Sequence, residues 1–253
     1  MKKGKLYLIP TLLGETTADS VLPKATLDII FGLDHFIVEN LRSARRFLSK
    51  TGNSKLIDEI HFELHDKHYQ ASDLNELLKP LLQGIDMGLM SEAGTPCVAD
   101  PGGAVVALAH QMGIQVVPLT GPNAILLALM ASGFNGQAFS FHGYLPIQSK
   151  DRINSLKMLE KRTLSAGETQ IFIETPFRNN ALIESILQHC LPETLLCVAA
   201  EISTKHEKII SKRVKDWQSI SYDYHKKPCV FLLWHESDLS TQKKQARKHS
   251  RLV

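Results

Sequence analysis

The sequence predicts an α/β protein made of two domains. Short apolar segments rich in β-branched residues recur along the 253-residue chain, and the segments between them carry the i, i+3, i+4 apolar spacing of helices. This alternation of strand and helix is typical of a largely parallel sheet with helices packed on it. Turn-forming residues at 118–122 then interrupt the alternation, which favours a domain boundary there.

The first half contains five predicted strands, which are the apolar segments 6–9, 35–38, 60–64, 86–90 and 115–118. Helical apolar spacing lies between them, and the clearest example is the series Leu74, Leu77, Leu78, Leu81 and Leu82. We expect these elements to form an N-terminal α/β domain over residues 1–119.

The second half has a different pattern. A helix at 123–132 is followed by predicted strands at 138–141, 169–174, 195–200, 207–212 and 228–234, with longer helices at 150–164 and 179–190. A short polar helix at 215–219 joins the last two strands, which favours a mixed sheet. We expect a C-terminal α/β domain over residues 120–236, a basic tail over residues 237–253, and a cleft between the two domains.

The composition excludes disordered and membrane-spanning classes. With 43% hydrophobic residues and a formal net charge of +3, the chain has an ordinary globular composition. Its longest apolar stretches, near 102–109 and 124–131, fall short of the ~20 residues that a membrane helix needs. The N-terminal apolar run is interrupted by Pro10 and has no signal-peptide cleavage site. We therefore expect a cytoplasmic protein with no membrane contact.

The charge is unevenly distributed. The last eleven residues contain five Lys or Arg and no acidic residue, and without them the net charge of +3 becomes −2. Such a basic tail can contact phosphate groups without sequence specificity. It can equally be a disordered, solubilising terminus, and the sequence favours neither interpretation over the other.

Two groups of residues have the types found in metal sites. The four cysteines, at 97, 190, 197 and 229, are scattered without a CxxC pair, which favours buried free thiols. The second group straddles the end of a strand instead of one helical face, and it consists of His61, His65, Asp66 and His68. Contact with a substrate loop is favoured over metal binding for this group, so no metal is predicted.

The common nucleotide motifs GxGxxG and GxxxxGK[ST] are missing. Glycine and proline, which permit or fix unusual backbone conformations, are instead concentrated at residues 90–103. This segment reads MSEAGTPCVADPGG and lies between a predicted strand and a predicted helix. Such strand ends bind ligands in open α/β sheets, although a tight loop without a ligand has the same composition. Asp100 is a candidate cap for the helix that follows. A second cluster, TGPNA at 120–124, opens another helix, whose N-terminal amides can bind an anion.

These motifs occur together with FSFHGYLP at 139–146, and the combination resembles the tetrapyrrole methylase superfamily. The closest branch is the small-subunit ribosomal RNA methyltransferase I type, which methylates a cytidine ribose 2′-hydroxyl. The family pattern reads SDAGTPxxxDPG, then PxPGPxA, then G-[FY]-LP, and it matches residues 91–102, 118–124 and 143–146 here. Further matches are Glu39 and Arg42 (family EDTR), Glu174 and Arg178 (family ESPHR), and Glu201 with Glu207.

The resemblance implies two α/β domains, a homodimer, and S-adenosylmethionine bound in the cleft between the domains. It implies cofactor contacts from two loops of the first half and its junction with the second, namely Glu92, Gly94, Thr95, Gly121, Pro122, Asn123 and Ala124. From the sheet of the second half it implies contacts at Ile173, Ala200, Cys229 and Val230.

Several polar positions depart from the family pattern. The departures are Glu15 for Asn, Asn40 and Leu41 within EDTR, Phe177 for the His of ESPHR, Ala200 for an Arg, and Pro228 for the acid of a KGE element. Glu92 is a longer acid than the family Asp. The cofactor positions are thus better kept than the positions expected to meet the methyl acceptor.

A ribose hydroxyl needs proton removal or a nearby cation to attack a methyl group. By position, the candidates for these roles are Glu39, Arg42 and Glu201, with Asp19 as a further acid. The competing interpretation of Glu39 and Arg42 is an ion pair at the start of a helix.

An RNA substrate needs a contact surface as well. Arg42, Arg45 and Arg46 make a basic patch that is also compatible with a solvated helix face. Phe139, Phe141 and Tyr144 are candidates for base stacking, but alternating aromatics such as Phe139 and Phe141 are favoured as core.

Three functions compete on the sequence. The favoured one is a methyltransferase for a ribose 2′-hydroxyl of small-subunit ribosomal RNA, supported by the closest branch and the basic tail. The others are a small-molecule, tetrapyrrole-type methylase and a cofactor-binding protein with degraded catalysis.

Overall fold

The computed structural model describes residues 2–52, 57–65 and 71–236. It confirms the α/β class, because strands and helices alternate and the strands form two separate five-stranded sheets. The described residues form two compact units, and the first of them consists of the chain up to Ala124 together with Ser203–Lys205. The basic tail lies outside the described residues.

The first unit is built on a sheet with strand order β3-β2-β4-β1-β5, in which every pairing is parallel. The strands are β1 (Lys5–Ile9), β2 (His35–Val38), β3 (His61–Leu64), β4 (Met87–Met90) and β5 (Gln115–Pro118). The helices are α1 (Ala18–Val21), α2 (Lys24–Gly32), α3 (Leu41–Lys50), α4 (Ala71–Leu77), α5 (Lys79–Leu82) and α6 (Gly103–Gln111), and Ile57–Glu59 is a 3-10 turn.

Apolar residues cover both faces of this sheet, as expected for parallel strands. Successive residues of a strand point to opposite faces, so Phe36 packs with Leu48 of α3, whereas its neighbour Ile37 packs with Leu78 and Leu81. The double coverage explains why these strands are continuously apolar in the sequence. It leaves the ends of the strands as the part of the sheet available for polar chemistry.

The second unit is built on a mixed sheet with strand order β6-β7-β10-β8-β9. The strands are β6 (Phe139–Tyr144), β7 (Thr169–Ile173), β8 (Leu195–Ala200), β9 (Lys208–Arg213) and β10 (Cys229–Trp234). Strands β6 and β7 are parallel and the other pairings are antiparallel. The mixed sheet predicted for this half is therefore confirmed.

Helices α7 (Ala124–Ser132), α8 (Ser149–Ala166), α9 (Asn179–His189) and α10 (Val214–Trp217) complete the described chain. One core cluster joins α8, α9 and α10 to the sheet through Leu159, Ile186, Trp217 and Phe231, which are all at most 1% exposed. No helix among the described residues has both the length and the apolar character required to span a membrane.

Candidate active site

The loops that follow β1 and β4 are tied together at the carboxyl edge of the first sheet. The backbone N–H of Thr11 donates to the carbonyl of Gly94 at 2.9 Å, and the Thr11 hydroxyl donates to the carbonyl of Ser91 at 3.3 Å. The buried hydroxyl of Ser91 in turn donates to the Gly94 carbonyl at 3.2 Å. These bonds fix the backbone of the 91–95 loop against the chain that leaves β1.

Gly94 adopts the left-handed backbone conformation, with φ of 78°, which a side chain would strain. A Cβ atom at this position would lie 3.0 Å from Leu13 and 3.6 Å from the carbonyl oxygen of Pro122. Next to it, the Asn123 amide donates to the Thr95 hydroxyl at 2.5 Å. The structure therefore brings together the predicted cofactor residues Gly94, Thr95, Pro122 and Asn123, although they come from two separate loops.

Gly121 makes the closest backbone approach in this region. A Cβ atom there would lie only 2.2 Å from Cγ of Pro10 and 3.0 Å from Leu22. The adjacent Thr120 carbonyl accepts a hydrogen bond from the Thr26 hydroxyl at 2.9 Å. The 120–124 loop is thus packed on the chain after β1 and on α2, and Ala124 is the first residue of α7.

The loop at 97–102 contains two residues with left-handed backbone, Cys97 with φ of 67° and Ala99 with φ of 65°. The Asp100 carboxylate holds this conformation by accepting from the backbone N–H of Cys97 and of Gly102, each at 2.8 Å. The prediction that Asp100 caps the next helix is wrong, because α6 begins at Gly103 and has no side-chain cap. Burial and the nearby Asp100 raise the pKa of the Cys97 thiol to about 11.

Helix α3 presents Arg42 beside this edge of the sheet. Asn40 caps the helix, because its side-chain oxygen accepts from the backbone N–H of Arg42 at 2.9 Å and of Ser43 at 3.1 Å. The Ser43 hydroxyl donates to the Glu92 carboxylate at 3.2 Å. The predicted cofactor residue Glu92 is therefore linked to the helix turn that carries Arg42, a connection that sequence reasoning missed.

Glu39 follows β2 directly and lines a small cavity together with His65, Pro96 and Asp100. His65 is 5% exposed, and its Nε2 lies 3.4 Å from the carbonyl oxygen of Pro101. His61 stacks on His35 with ring centroids 4.6 Å apart. Two of the four residues considered as metal ligands thus have other partners, while Asp66 and His68 lie outside the described residues.

The four cofactor residues predicted in the second unit lie side by side on its three central strands. Val230 of β10 pairs with Ile173 of β7, and Cys229 pairs with Ala200 of β8. Ala200, Cys229 and Val230 are buried, at 1%, 6% and 4% exposure. Burial, together with Glu201, raises the pKa of the Cys229 thiol to about 12, so this core side chain is neutral at physiological pH.

Glu201 follows β8 in a left-handed conformation, with φ of 52°. Its backbone N–H donates to the Pro228 carbonyl at 2.9 Å, and Lys227 Nζ lies 3.6 Å from its carboxylate. Backbone strain at a non-glycine residue is a common feature of functional sites. Glu201 is partly exposed, so its carboxylate is accessible at the end of the strand that carries Ala200.

Glu174 and Arg178 form an ion pair just after β7. One carboxylate oxygen of Glu174 accepts from Arg178 Nη2 at 2.5 Å, from its Nε at 3.0 Å, and from the backbone N–H of Thr175 at 2.6 Å. The hydrogen bond to Glu174 raises the pKa of Arg178 above its usual value. The match to the family pattern ESPHR was the signal in the sequence for these two residues.

The three aromatic candidates for base stacking belong to β6. The core interpretation is wrong for Phe139, which is 40% exposed, and Tyr144 at the other end of the strand is 57% exposed. Phe141 is partly buried. In the first unit, Arg42, Arg45 and Arg46 are all exposed on α3, as predicted for a solvent-facing basic patch.

Known proteins identify the family of this chain. Residues 22–218 match the family model described as Tetrapyrrole (Corrin/Porphyrin) Methylases. Ribosomal RNA small subunit methyltransferase I of Vibrio cholerae is 34% identical over 81% of this chain and 67% of the relative. The protein of the same name from Escherichia coli O157:H7 is 32% identical over 95% of this chain and 75% of the relative.

Two solved structures share the fold. The methyltransferase CobJ has a TM-score of 0.62 at 14% identity, covering 92% of this chain and 94% of that chain. Uroporphyrin-III-C-methyltransferase from Thermus thermophilus has a TM-score of 0.54 at 17% identity, covering 95% and 100%.

The chain therefore belongs to the tetrapyrrole methylase family. It is a methyltransferase, and methyltransferases of this family use S-adenosylmethionine as the methyl donor. The relatives support this activity over the cofactor-binding protein with degraded catalysis that the sequence also allowed.

Proposed function

We propose that this protein transfers a methyl group from S-adenosylmethionine to a ribose 2′-hydroxyl of small-subunit ribosomal RNA. The observation that carries the choice of acceptor is the similarity to several ribosomal RNA small subunit methyltransferases I over most of the chain. The basic tail at 237–253 and the exposed arginines of α3 support an acceptor that carries phosphate groups.

The residues of the first unit fit a methyl donor that carries an adenosine and an amino acid group. The loops at 91–95 and 120–124 offer polypeptide backbone and the hydroxyl of Thr95, held in place by Asn123. The exposed carboxylate of Glu92 is an acceptor for hydroxyl groups, and Ser43 orients it. In this proposal Glu92, Gly94, Thr95 and residues 121–124 contact the cofactor.

The second unit contributes contacts of a different kind. Val230 pairs with Ile173, whereas Cys229 pairs with Ala200 and faces the opposite side of the sheet, in the core cluster. In this proposal the four residues therefore contact the cofactor mainly through their backbone.

When bound, the donor supplies a methyl group on a sulfonium sulfur, so the C–S bond is already activated for displacement. The protein has to align the 2′-oxygen behind that bond and accept its proton as the C–O bond forms. In the proposal, Arg42 stabilises the developing negative charge, and Glu39 or Glu201 takes the proton. The same proposal includes a homodimer, which the family resemblance implies. It also includes a cytoplasmic location, because the ribosomal substrate is found there.

The test is methyl transfer to small ribosomal subunits that lack the modification. Wild-type protein with radiolabelled S-adenosylmethionine should label the RNA, and nucleoside mass spectrometry should identify a 2′-O-methylated ribose. Arg42→Ala should reduce kcat by about 100-fold, in the range for loss of one charge-stabilising group. Lys50→Ala removes a cation from the last turn of the same helix and is the matched control, with an unchanged kcat.

Failure to label any RNA, with label appearing instead in a tetrapyrrole-type small molecule, would overturn the acceptor assignment. Equal kcat values for Arg42→Ala and Lys50→Ala would remove Arg42 from the proposed catalytic set.

A further inference from the structure

One departure from the family pattern in the second unit lies in contact with the segment that has lost another family residue. Phe177 replaces the family His, and Lys226 belongs to the segment where the KGE element has lost its acid. In the structure Lys226 Nζ lies 5.9 Å from the centre of the Phe177 ring. The ring of His225 meets Phe177 edge-on, with centroids 5.6 Å apart. We call Phe177, His225 and Lys226 the Phe177 platform.

The platform is exposed although it contains a large aromatic ring. Phe177 is 67% exposed, and His225 and Lys226 are exposed as well. Within the described part of the chain, no carboxylate lies within ion-pair distance of Lys226. Of the nearby acids, Glu174 binds Arg178 and Glu201 faces Lys227. Asp223 accepts from the Asn180 side chain and from the backbone N–H of His225, each at 2.9 Å. The platform therefore carries positive charge beside an accessible aromatic ring.

A rigid frame holds this ring in place. The backbone N–H of Lys226 donates to the Pro176 carbonyl at 2.9 Å, which joins the loop of Phe177 to the loop of Lys226. The buried amide of Asn179 donates to the carbonyls of Tyr224 at 3.0 Å and Lys227 at 2.7 Å. Lys226 itself has a left-handed backbone, with φ of 61°. Because both loops are fixed before any ligand arrives, binding at the platform has a small ordering cost.

The platform also lies at the functional end of the second sheet. Phe177 follows the end of β7, four residues after Ile173, and Lys226 precedes the start of β10 by three residues, close to Cys229. Ile173, Cys229 and Val230 are proposed cofactor contacts on those same strands. A ligand on the platform would therefore lie close to the proposed cofactor contacts at this end of the sheet.

We propose that the Phe177 platform binds an unpaired base of the RNA substrate by stacking on Phe177, while Lys226 contacts an adjoining phosphate. This inference rests on the proposed function and assigns a part of its acceptor recognition to Phe177, which departs from the family pattern, and to its neighbour Lys226. Exposed aromatic rings flanked by cations are the common device for binding single-stranded RNA, because every base has a flat face and every nucleotide a charge.

Two variants of Phe177 test whether RNA binding needs a flat aromatic ring or only an apolar side chain. Phe177→Leu keeps an apolar side chain but loses the flat face, and it should raise KM for unmodified small ribosomal subunits by about tenfold, as one lost base stack predicts. Its kcat and its Kd for S-adenosylmethionine should change less than twofold. Phe177→Trp keeps the flat face and should retain a KM close to that of wild type.

The matched control is Met158→Ala, since Met158 is also a large exposed apolar residue of this unit but lies on α8. Its KM should equal that of wild type. Lys226→Ala should lower the slope of log KM against log salt by about one, as expected for one lost phosphate contact.

The outcomes are distinguishable from those that test the proposed function. A wild-type protein that labels RNA, with the same KM in Phe177→Leu or an equal rise in Met158→Ala, would overturn the platform and leave the proposed function intact. A wild-type protein that labels no RNA would overturn both. Thermal melting of each variant excludes unfolding as the cause of a raised KM.

Discussion

The two units of this protein present their predicted cofactor residues in different ways. In the first unit these residues lie in loops after parallel strands, and hydrogen bonds such as the one from Asn123 to Thr95 fix them. In the second unit they lie on the strands themselves, where Cys229 pairs with Ala200. The difference indicates that substitutions act through loop geometry in the first unit and through burial in the second.

The largest difference in stability between the two units is expected at alkaline pH. Burial raises the pKa of Cys190, Cys197 and Cys229 to about 12, and all three belong to the second unit. Cys97 of the first unit reaches about 11. The unfolded chain loses these protons near the ordinary thiol value of about 9. The stabilisation is therefore complete below pH 9 and is lost as pH rises towards 12.

The measurement uses the two tryptophans, Trp217 and Trp234, which both lie in the second unit. The urea midpoint followed by tryptophan fluorescence should fall between pH 8.5 and pH 10.5 by more than the midpoint followed by circular dichroism. An equal fall by both probes would contradict the assignment of the alkaline sensitivity to the second unit.

The next largest effect is expected for Gly121→Ala in the first unit. The added Cβ would lie 2.2 Å from Pro10, so the loop must move, at a cost of about 1–3 kcal/mol in the free energy of unfolding. Gly103→Ala is the control, because its Cβ meets nothing within 4 Å. Urea unfolding compares the two variants, and equal stabilities would show that the 120–124 loop is not tightly packed.

A comparable substitution in the second unit is Asn179→Ala. It leaves the carbonyls of Tyr224 and Lys227 without their side-chain donor, at a cost of about 1–3 kcal/mol. The 222–228 segment then loses its anchor, so KM for RNA should rise as the free energy of unfolding falls. Methyl-transfer kinetics and urea unfolding of the same preparation measure the two quantities. A stable Asn179→Ala protein with wild-type KM would refute the rigid frame beneath the Phe177 platform.

The smallest effect is expected at the cap of α3. Asn40→Ala should destabilise the protein by about 1 kcal/mol, because two backbone N–H groups lose their acceptor. Asn40→Asp restores the family residue and should leave the unfolding free energy within a few tenths of a kcal/mol. Thermal melting checks both variants. A loss as large for Asp as for Ala would mean that position 40 does more than cap the helix.

Much of the fold was predictable from sequence because apolar periodicity determines it. The predicted strands 35–38, 115–118 and 195–200 have the observed bounds, and 228–234 begins one residue early. The short helix α1 was not singled out, since its four residues are too few for a helical pattern. Phe139 was assigned to the core because alternation in a strand does not reveal which face is covered.

The candidate site was predictable as a set of residues but not as a set of contacts. Asn123 and Thr95 belong to recognisable loops, yet their hydrogen bond joins residues 28 positions apart. Asn40 looked like a lost catalytic position, and the structure shows that it retains the helix cap. The contact between Phe177 and Lys226 spans 49 positions, and a single sequence carries no signal of such tertiary pairings.

The most direct test of the account is a calorimetric titration of S-adenosylmethionine into the wild-type protein, Thr95→Val and Thr17→Val. Thr95→Val removes the hydroxyl that joins the two loops, whereas Thr17 has no side-chain capping bond and serves as the control. The account predicts binding by wild type and Thr17→Val, and about tenfold weaker binding by Thr95→Val, as expected for loss of one ordering hydrogen bond. Folded wild-type protein that binds neither S-adenosylmethionine nor S-adenosylhomocysteine, even with RNA present, would contradict it.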